Sequence, residues 1–277
     1  MAILLALASA AAYSIADFAG GVATRRGHVL RVVAISAPIS LLVELALLPL
    51  LGGRWSTAAI VWGAVSGVGS AAAFVLLYQS LAIGPMSVVS PVTAVVSAFL
   101  PVLVGVLQGE RLGVTALVGA GLATAAIFLV STTSEPGAAL VSRGALLLAL
   151  GAGAAIALQL IALHQSPTGS GVTPLLAGRV VSGGVVLAAF LTFRRAIDPT
   201  RPRVALAALA GGVDALANLF FLFASHRGSL AIVALITALY PAGTVALARL
   251  LLDERLGRAQ WIGLASAAVA VALLTVS

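Results

Sequence analysis

Long runs of apolar residues, each about the length of a bilayer-spanning helix, alternate along this chain with short clusters of arginine, glycine, proline and acidic residues. Breaking the chain at those clusters predicts ten helices near 2–24, 29–51, 57–80, 86–107, 113–132, 143–164, 172–194, 203–225, 229–251 and 258–276. The runs lack sustained apolar and polar alternation, so strands are not expected, and in lipid only helices or closed barrels satisfy the backbone. The stretch from Met1 to Ala10 ends in small residues like a signal peptide but lacks a positively charged leader, so it reads as the start of the first helix. The predicted fold class is all-α, a polytopic membrane protein.

The longest polar connections run from Thr132 to Val141 and from Arg194 to Arg203, and the first divides the chain almost in half. Across that divide Gly109-Glu110-Arg111-Leu112-Gly113 corresponds to Asp253-Glu254-Arg255-Leu256-Gly257, an offset of 254 − 110 = 144. The same register pairs Gly67 with Gly211, Gly84 with Gly228, Thr93 with Thr237, Ala94 with Ala238 and Gly119 with Gly263. The expected organisation is therefore two five-helix repeats, residues 1–134 and 135–277. An odd number of helices per repeat sends the second into the membrane from the opposite side. This inverted layout is one from which many secondary transporters build a midplane site with alternating access.

Composition sharpens this reading. Hydrophobic residues make up 61% and charged residues 8% of 277, far from the balance of a soluble domain. The net charge of +7 comes from arginine alone among basic residues, mostly placed between apolar runs, which marks loop anchors rather than a nucleic-acid surface. Cysteine is absent, and His28, His164 and His226 are scattered without metal-ligand spacing, so neither a metal site nor a cofactor is expected. Most loop arginines lie on the face opposite the termini, and the positive-inside rule then places both termini outside.

Three motifs carry a family resemblance: Gly84 through Ala94 (GPMSVVSPVTA) running into the fourth helix, Glu-Arg-Leu-Gly before the fifth and tenth, and Ala16-Asp17-Phe18-Ala19-Gly20-Gly21 followed by Arg25-Arg26. With the repeat, they resemble the EamA family of the drug/metabolite transporter superfamily over nearly the whole chain. The resemblance implies a ten-helix fold with a central cavity lined by helices 1–4 and 6–9, with 5 and 10 outside it. It also implies cytoplasmic termini, against the arginine count, and export of amino acids, other metabolites or drugs. The first helix departs from the family pattern, with Ala12-Tyr13-Ser14 where a Trp-Gly pair is common.

Candidate site residues follow from what lipid penalises. Asp17, Glu44, Arg179 and Asp214 are ionisable groups inside predicted spans, each costing about 2.5–3.5 kcal/mol at the membrane centre. Asp214 sits near the midplane of its helix and shares a face with Asn218 at i+4, which suggests a proton-coupling carboxylate or else a structural pair with Arg179. Asp17 is a second coupling candidate or a partner of Arg25. Arg179 could bind a substrate carboxylate or reach the interface, and Glu44, with no evident partner, reads as structural. Tyr13, Tyr78 and Tyr240 offer hydroxyls to a polar substrate or to neighbouring helices. Pro91 and Pro241, like Pro101, suggest breaks in helices 4 and 9 beside the transport path, with Thr93 and Thr237 close to it.

The remaining motifs read as packing. Glu110 and Glu254 suit the starts of helices 5 and 10, and Gly63 with Gly67, and Gly119 with Ala123, suit close helix approach. Trp55, Trp62 and Trp261 fall near helix ends, as in an interfacial belt. The expected function is secondary active transport of a small solute, exporting amino acids or similar metabolites, with multidrug efflux as the alternative. An integral-membrane enzyme would need a nucleophile, metal cluster or phosphate loop that the chain does not show, and a structural membrane protein is the remaining alternative class. The expected partners are a small-molecule substrate and the bilayer of the inner membrane, with no nucleic acid, in a monomer or homodimer.

Overall fold

The computed structural model describes residues 1–24, 29–83, 86–131, 142–193, 203–252 and 257–276. Eleven helices lie among them: α1 (Ala2–Thr24), α2 (Val29–Leu51), α3 (Thr57–Ile83), α4 (Met86–Leu107), α5 (Val114–Ser131), α6 (Arg143–Gln165), α7 (Thr173–Phe193), α8 (Val204–Ser225), α9 (Leu230–Thr237), α10 (Tyr240–Leu252) and α11 (Arg258–Thr275). α9 and α10 are two pieces of one span, so the helices make ten crossings. Seven helices are long and apolar enough to cross a membrane, and shorter apolar segments cover Val92–Leu107, Val114–Leu129 and Leu230–Thr244. Large apolar side chains such as Leu147, Val180 and Leu187 stay exposed, which is what a lipid-facing surface requires.

The two sequence repeats do not pack as separate bodies. α1 packs on α8, α2 on α8 and α7, α3 on α6 and α7, and α4 on α6 and α9, so nearly every extensive interface joins one repeat to the other. Exchanging the repeats maps α1 against α8 onto α6 against α3, and α2 against α8 onto α7 against α3, as an internal two-fold demands. Two mixed groups result: α1, α2, α8 and α9–α10 on one side, and α3, α4, α6 and α7 on the other. They meet chiefly where α2 crosses α7 and α4 crosses α9, while α5 and α11 pair with each other. The proposed boundary between repeats, after residue 134, lies outside the described residues.

Small residues permit these approaches. A side chain at Gly63 would meet Pro174 and Ala177 of α7, one at Gly67 would enter the backbone of Gly178, and one at Gly119 would press on Leu273 and Leu274 of α11. On the face carrying both termini, the connections α2–α3 and α6–α7 form an antiparallel bridge between Gly53 and Gly171. Arg54 N–H donates to the Ser170 carbonyl at 3.2 Å and Val172 N–H to that of Gly52 at 3.1 Å. Gly171 has a φ of 57° and lies against the Gly52 carbonyl, where a Cβ would collide.

Glu110 departs from its expected role as a cap of the fifth helix. Its carboxylate caps α9 in the other repeat, accepting from Ser229 Oγ at 2.6 Å, Leu230 N–H at 2.6 Å and Ala231 N–H at 3.1 Å. The turn through Gly109 (φ 96°) and the missing side chain at Gly105, where a Cβ would lie 2.5 Å from the carboxylate, let it swing away from α5. A carboxylate there satisfies orphan N–H groups and complements the helix dipole. Glu254, its counterpart, lies outside the described residues.

Candidate functional site

Arg179 enters the membrane on α7 six residues past its start, about 9 Å deep. Glu44 is seven residues from the end of α2, about 10 Å from the same face, so the α2–α7 crossing sets the two side by side. Arg179 Nε donates to Glu44 Oε1 at 3.0 Å and Nη2 donates to Asp214 Oδ2 at 2.5 Å. All three side chains are shielded, with relative exposures of 9% for Arg179, 1% for Glu44 and 21% for Asp214. Glu44 Oε2 is buried and has no hydrogen-bond partner. Two carboxylates thus share one guanidinium.

A neutral network lies one helical turn along α8. Asn218 Oδ1 accepts from Tyr13 Oη at 2.9 Å and from Gln159 Nε2 at 2.8 Å, while its amide nitrogen donates to the Asp214 carbonyl at 2.9 Å. Both networks therefore join the mixed groups, Arg179 and Gln159 coming from one and Glu44, Asp214, Asn218 and Tyr13 from the other. They border a small cavity of about 10 Å³, room for about one water molecule, lined by Ser66, Ser70, Gln159, Arg179, Ser182 and Asn218.

The break between α9 and α10 opens beside this region. Pro241 has no N–H to give to the Thr237 carbonyl, and the helix stops at Thr237 and restarts at Tyr240 with proline in its first turn. Ser14 Oγ lies 2.8 Å from the Tyr240 carbonyl and 2.7 Å from that of Ala10, and donates its one proton to either, which ties α1 to the start of α10. The Tyr13 and Tyr240 rings are tilted against each other, 6.2 Å apart. Asp17, one turn beyond Tyr13 on α1, is exposed.

The sequence candidates are distributed unevenly around this geometry. Tyr13, Arg179, Asp214 and Asn218 come together, and Tyr240 and Asp17 flank them. Thr93 turns away from the cavity and donates to the Ala149 carbonyl of α6 at 3.2 Å, whereas Thr237 is buried with its hydroxyl unpartnered. The breaks expected at Pro91 and Pro101 are absent: α4 stays helical from Met86 to Leu107. The side chains of Tyr78 and Pro91 lie outside the described residues. Sequence reading missed Gln159, Ser66, Ser70 and Ser182; the signal was an amide and hydroxyls inside otherwise apolar spans, with Ser66 and Ser70 at i, i+4. Glu44, read as lacking a partner, has one in Arg179.

His164 and His226 serve the loop layer, and His28 lies outside the described residues. His164 Nδ1 lies 3.0 Å from the Ser225 carbonyl, and His226 Nε2 lies 3.3 Å from both Ser166 Oγ and the Leu163 carbonyl. Burial lowers the pKa of His226 from its ordinary value, partly opposed by the contact with Leu163. No group of three or more potential metal ligands occurs among the described residues.

No curated protein matches this chain. A solved crystal structure superposes with a TM-score of 0.76, covering 99% of this chain and 96% of its own at 18% identity, which shows a shared fold. The EamA-like transporter family matches twice, over residues 1–132 and 143–276, one match per repeat. Both the helical architecture and the paired matches describe an integral membrane transporter whose partners are a small solute and the bilayer. The chain belongs to the EamA-like transporter family.

Proposed function

We propose that the protein is a secondary active transporter that carries a small polar solute by alternating access, exporting amino acids or similar metabolites across the cytoplasmic membrane with Asp214 in the coupling to protons. The observation that carries this reading is the Glu44–Arg179–Asp214 crossing, three ionisable side chains inside the membrane that tie the two mixed groups together. Apolar contacts would hold two helices as well as a buried ion pair does, so charge at a movable crossing favours a reversible tie. The adjoining cavity has room for about one water, so a solute enters only when the groups part. The described loops on the terminal face are already joined through Gly53–Gly171 and the Glu110 cap, which favours opening toward the other face.

Rocking of the sequence halves against each other suits this packing poorly, because each group contains helices of both. Movement of the mixed groups about the α2–α7 and α4–α9 crossings suits it better. Arg179 is engaged by both carboxylates, so a solute carboxylate reaches it by displacing Asp214, the more exposed of the two. Asp214 released in this way loses its counter-charge.

The test is uptake into proteoliposomes of labelled amino acids and, separately, of dyes under an imposed proton gradient. We expect amino acids to be moved by the parent, and Asp214→Asn to insert normally but lose gradient-driven accumulation. Dye flux without amino-acid flux would favour multidrug efflux. Accumulation by Asp214→Asn equal to the parent's would remove Asp214 from coupling.

A further inference from the structure

We propose that the Glu44–Arg179–Asp214 crossing holds one proton in this closed arrangement, and that its seat is Glu44, the carboxyl that sequence reading treated as structural. The inference rests on the transport reading only for its consequence in the cycle; the protonation itself stands on geometry. Glu44 is fully buried, and the elements packed against its helix supply few charges to face it. α7 brings Arg179, α8 brings Asp214, and α1 brings Asp17 and Tyr13. One guanidinium faces two carboxyl groups at the crossing, so with both ionised the set carries an excess negative charge that a low-dielectric interior does not tolerate without a proton.

Geometry chooses between the two carboxyls. Asp214 is the more exposed and takes the Nη2 bond, whereas Glu44 Oε2 is enclosed and meets no donor. A charged oxygen placed there would be enclosed by protein and without a protein donor. A protonated Glu44 still accepts from Arg179 Nε through Oε1, so every observed bond is kept. When the groups part, α7 carries Arg179 away from α2 and water reaches Glu44, so its proton becomes exchangeable with that side of the membrane.

The experiment reads the carboxylic-acid carbonyl stretch by infrared spectroscopy on the protein in lipid vesicles at neutral pH, which needs no substrate. The expected result is an acid band that shifts when glutamate side-chain carboxyls carry an isotope label, and that is lost in Glu44→Gln. The same component should vanish in Asp214→Asn, because removing the second carboxylate leaves Glu44 balanced by Arg179. A band that ignores the glutamate label, a band that survives Glu44→Gln, or no acid band in the parent each overturns the proposal. If the parent moves no solute while the labelled band behaves as stated, the transport reading fails and the proton site stands. In transport, Glu44→Gln should exchange labelled for unlabelled solute yet lose accumulation driven by the proton gradient, and accumulation at the parental level would break the link to coupling.

Discussion

The fourth and ninth spans occupy equivalent places in the two repeats, yet α4 runs unbroken through Met86–Leu107 while the ninth span stops at Thr237 and restarts at Tyr240. Their prolines are not in register. Pro241 corresponds to Ser97 (241 − 144 = 97), and Pro91 to Leu235 (91 + 144 = 235). Ser97 has the N–H that Pro241 lacks, so the carbonyl of Thr93 keeps a possible partner where that of Thr237 loses one. Pro91 lies in the second turn of α4, where its missing N–H affects only the Ser87 carbonyl. Pro101, in the interior of α4, leaves that helix undivided, so a lost donor alone does not divide a span; equivalent spans of the two repeats thus differ in where their prolines fall and in whether the helix continues past them.

Moving the break is the strongest challenge to this account. Ser97→Pro should cost about 3 kcal/mol or more, since it removes a mid-helix donor in α4 with no hydroxyl placed as Ser14 is for α10. Chemical denaturation in mixed micelles would show it as a lower midpoint. A cost near zero would mean that α4 tolerates a break as readily as the ninth span does.

Next in size is the support at the start of α9. Glu110→Ala removes three hydrogen bonds to Ser229, Leu230 and Ala231, and should cost about 1–2 kcal/mol, at the upper end for a helix cap. Glu110→Gln keeps an acceptor and should lose less. Equal losses from both variants in the same denaturation would show that the charge matters and the geometry of the cap does not.

Ser14→Ala tests the tie at the break. Ser14→Ala removes the hydroxyl that ties α1 to the Tyr240 carbonyl, while Thr244 Oγ1 still donates to that carbonyl at 3.2 Å, so about 1 kcal/mol of destabilisation is expected. Backbone hydrogen exchange should rise around Ala238 and Leu239. Unchanged exchange there would deny Ser14 its role in holding the break.

Pro241→Ala should change stability least, by a few tenths of a kcal/mol, because a regained helical bond offsets the loss of a well-placed first-turn proline. Its effect should appear in transport, through a ninth span that no longer bends beside Tyr13 and Tyr240. Uptake kinetics identical to the parent would take the break out of the mechanism.

Most of the architecture was legible beforehand because lipid imposes a simple rule: spans are long, apolar and helical. The predicted 29–51 and 86–107 coincide with α2 and α4, and the other boundaries differ by three residues or fewer, apart from the division of the ninth span. The ionisable residues were legible for the same reason, since each stands out against an apolar run. Their partners were less so. Asp214 with Arg179 could be weighed as a pair, but Glu44 gave no sign of belonging with them, being 135 residues from Arg179 along the chain. Gln159 and the cavity serines were overlooked because neutral polar residues are common in spans and mark a site only when their neighbours are known.

The amino-acid sequence by itself determined the number of crossings, the inverted repeat, the membrane as solvent and the residues too costly to leave facing lipid. These follow from local composition and from register, which need no knowledge of what packs against what. Only the tertiary structure decided that the repeats interleave into two mixed groups, that Glu110 caps a helix of the other repeat, and that two carboxylates converge on one arginine. Each of these depends on helices far apart in the chain meeting at chosen faces. In a chain whose faces are nearly uniformly apolar, that choice is made by small residues and close packing rather than by any pattern a single helix displays.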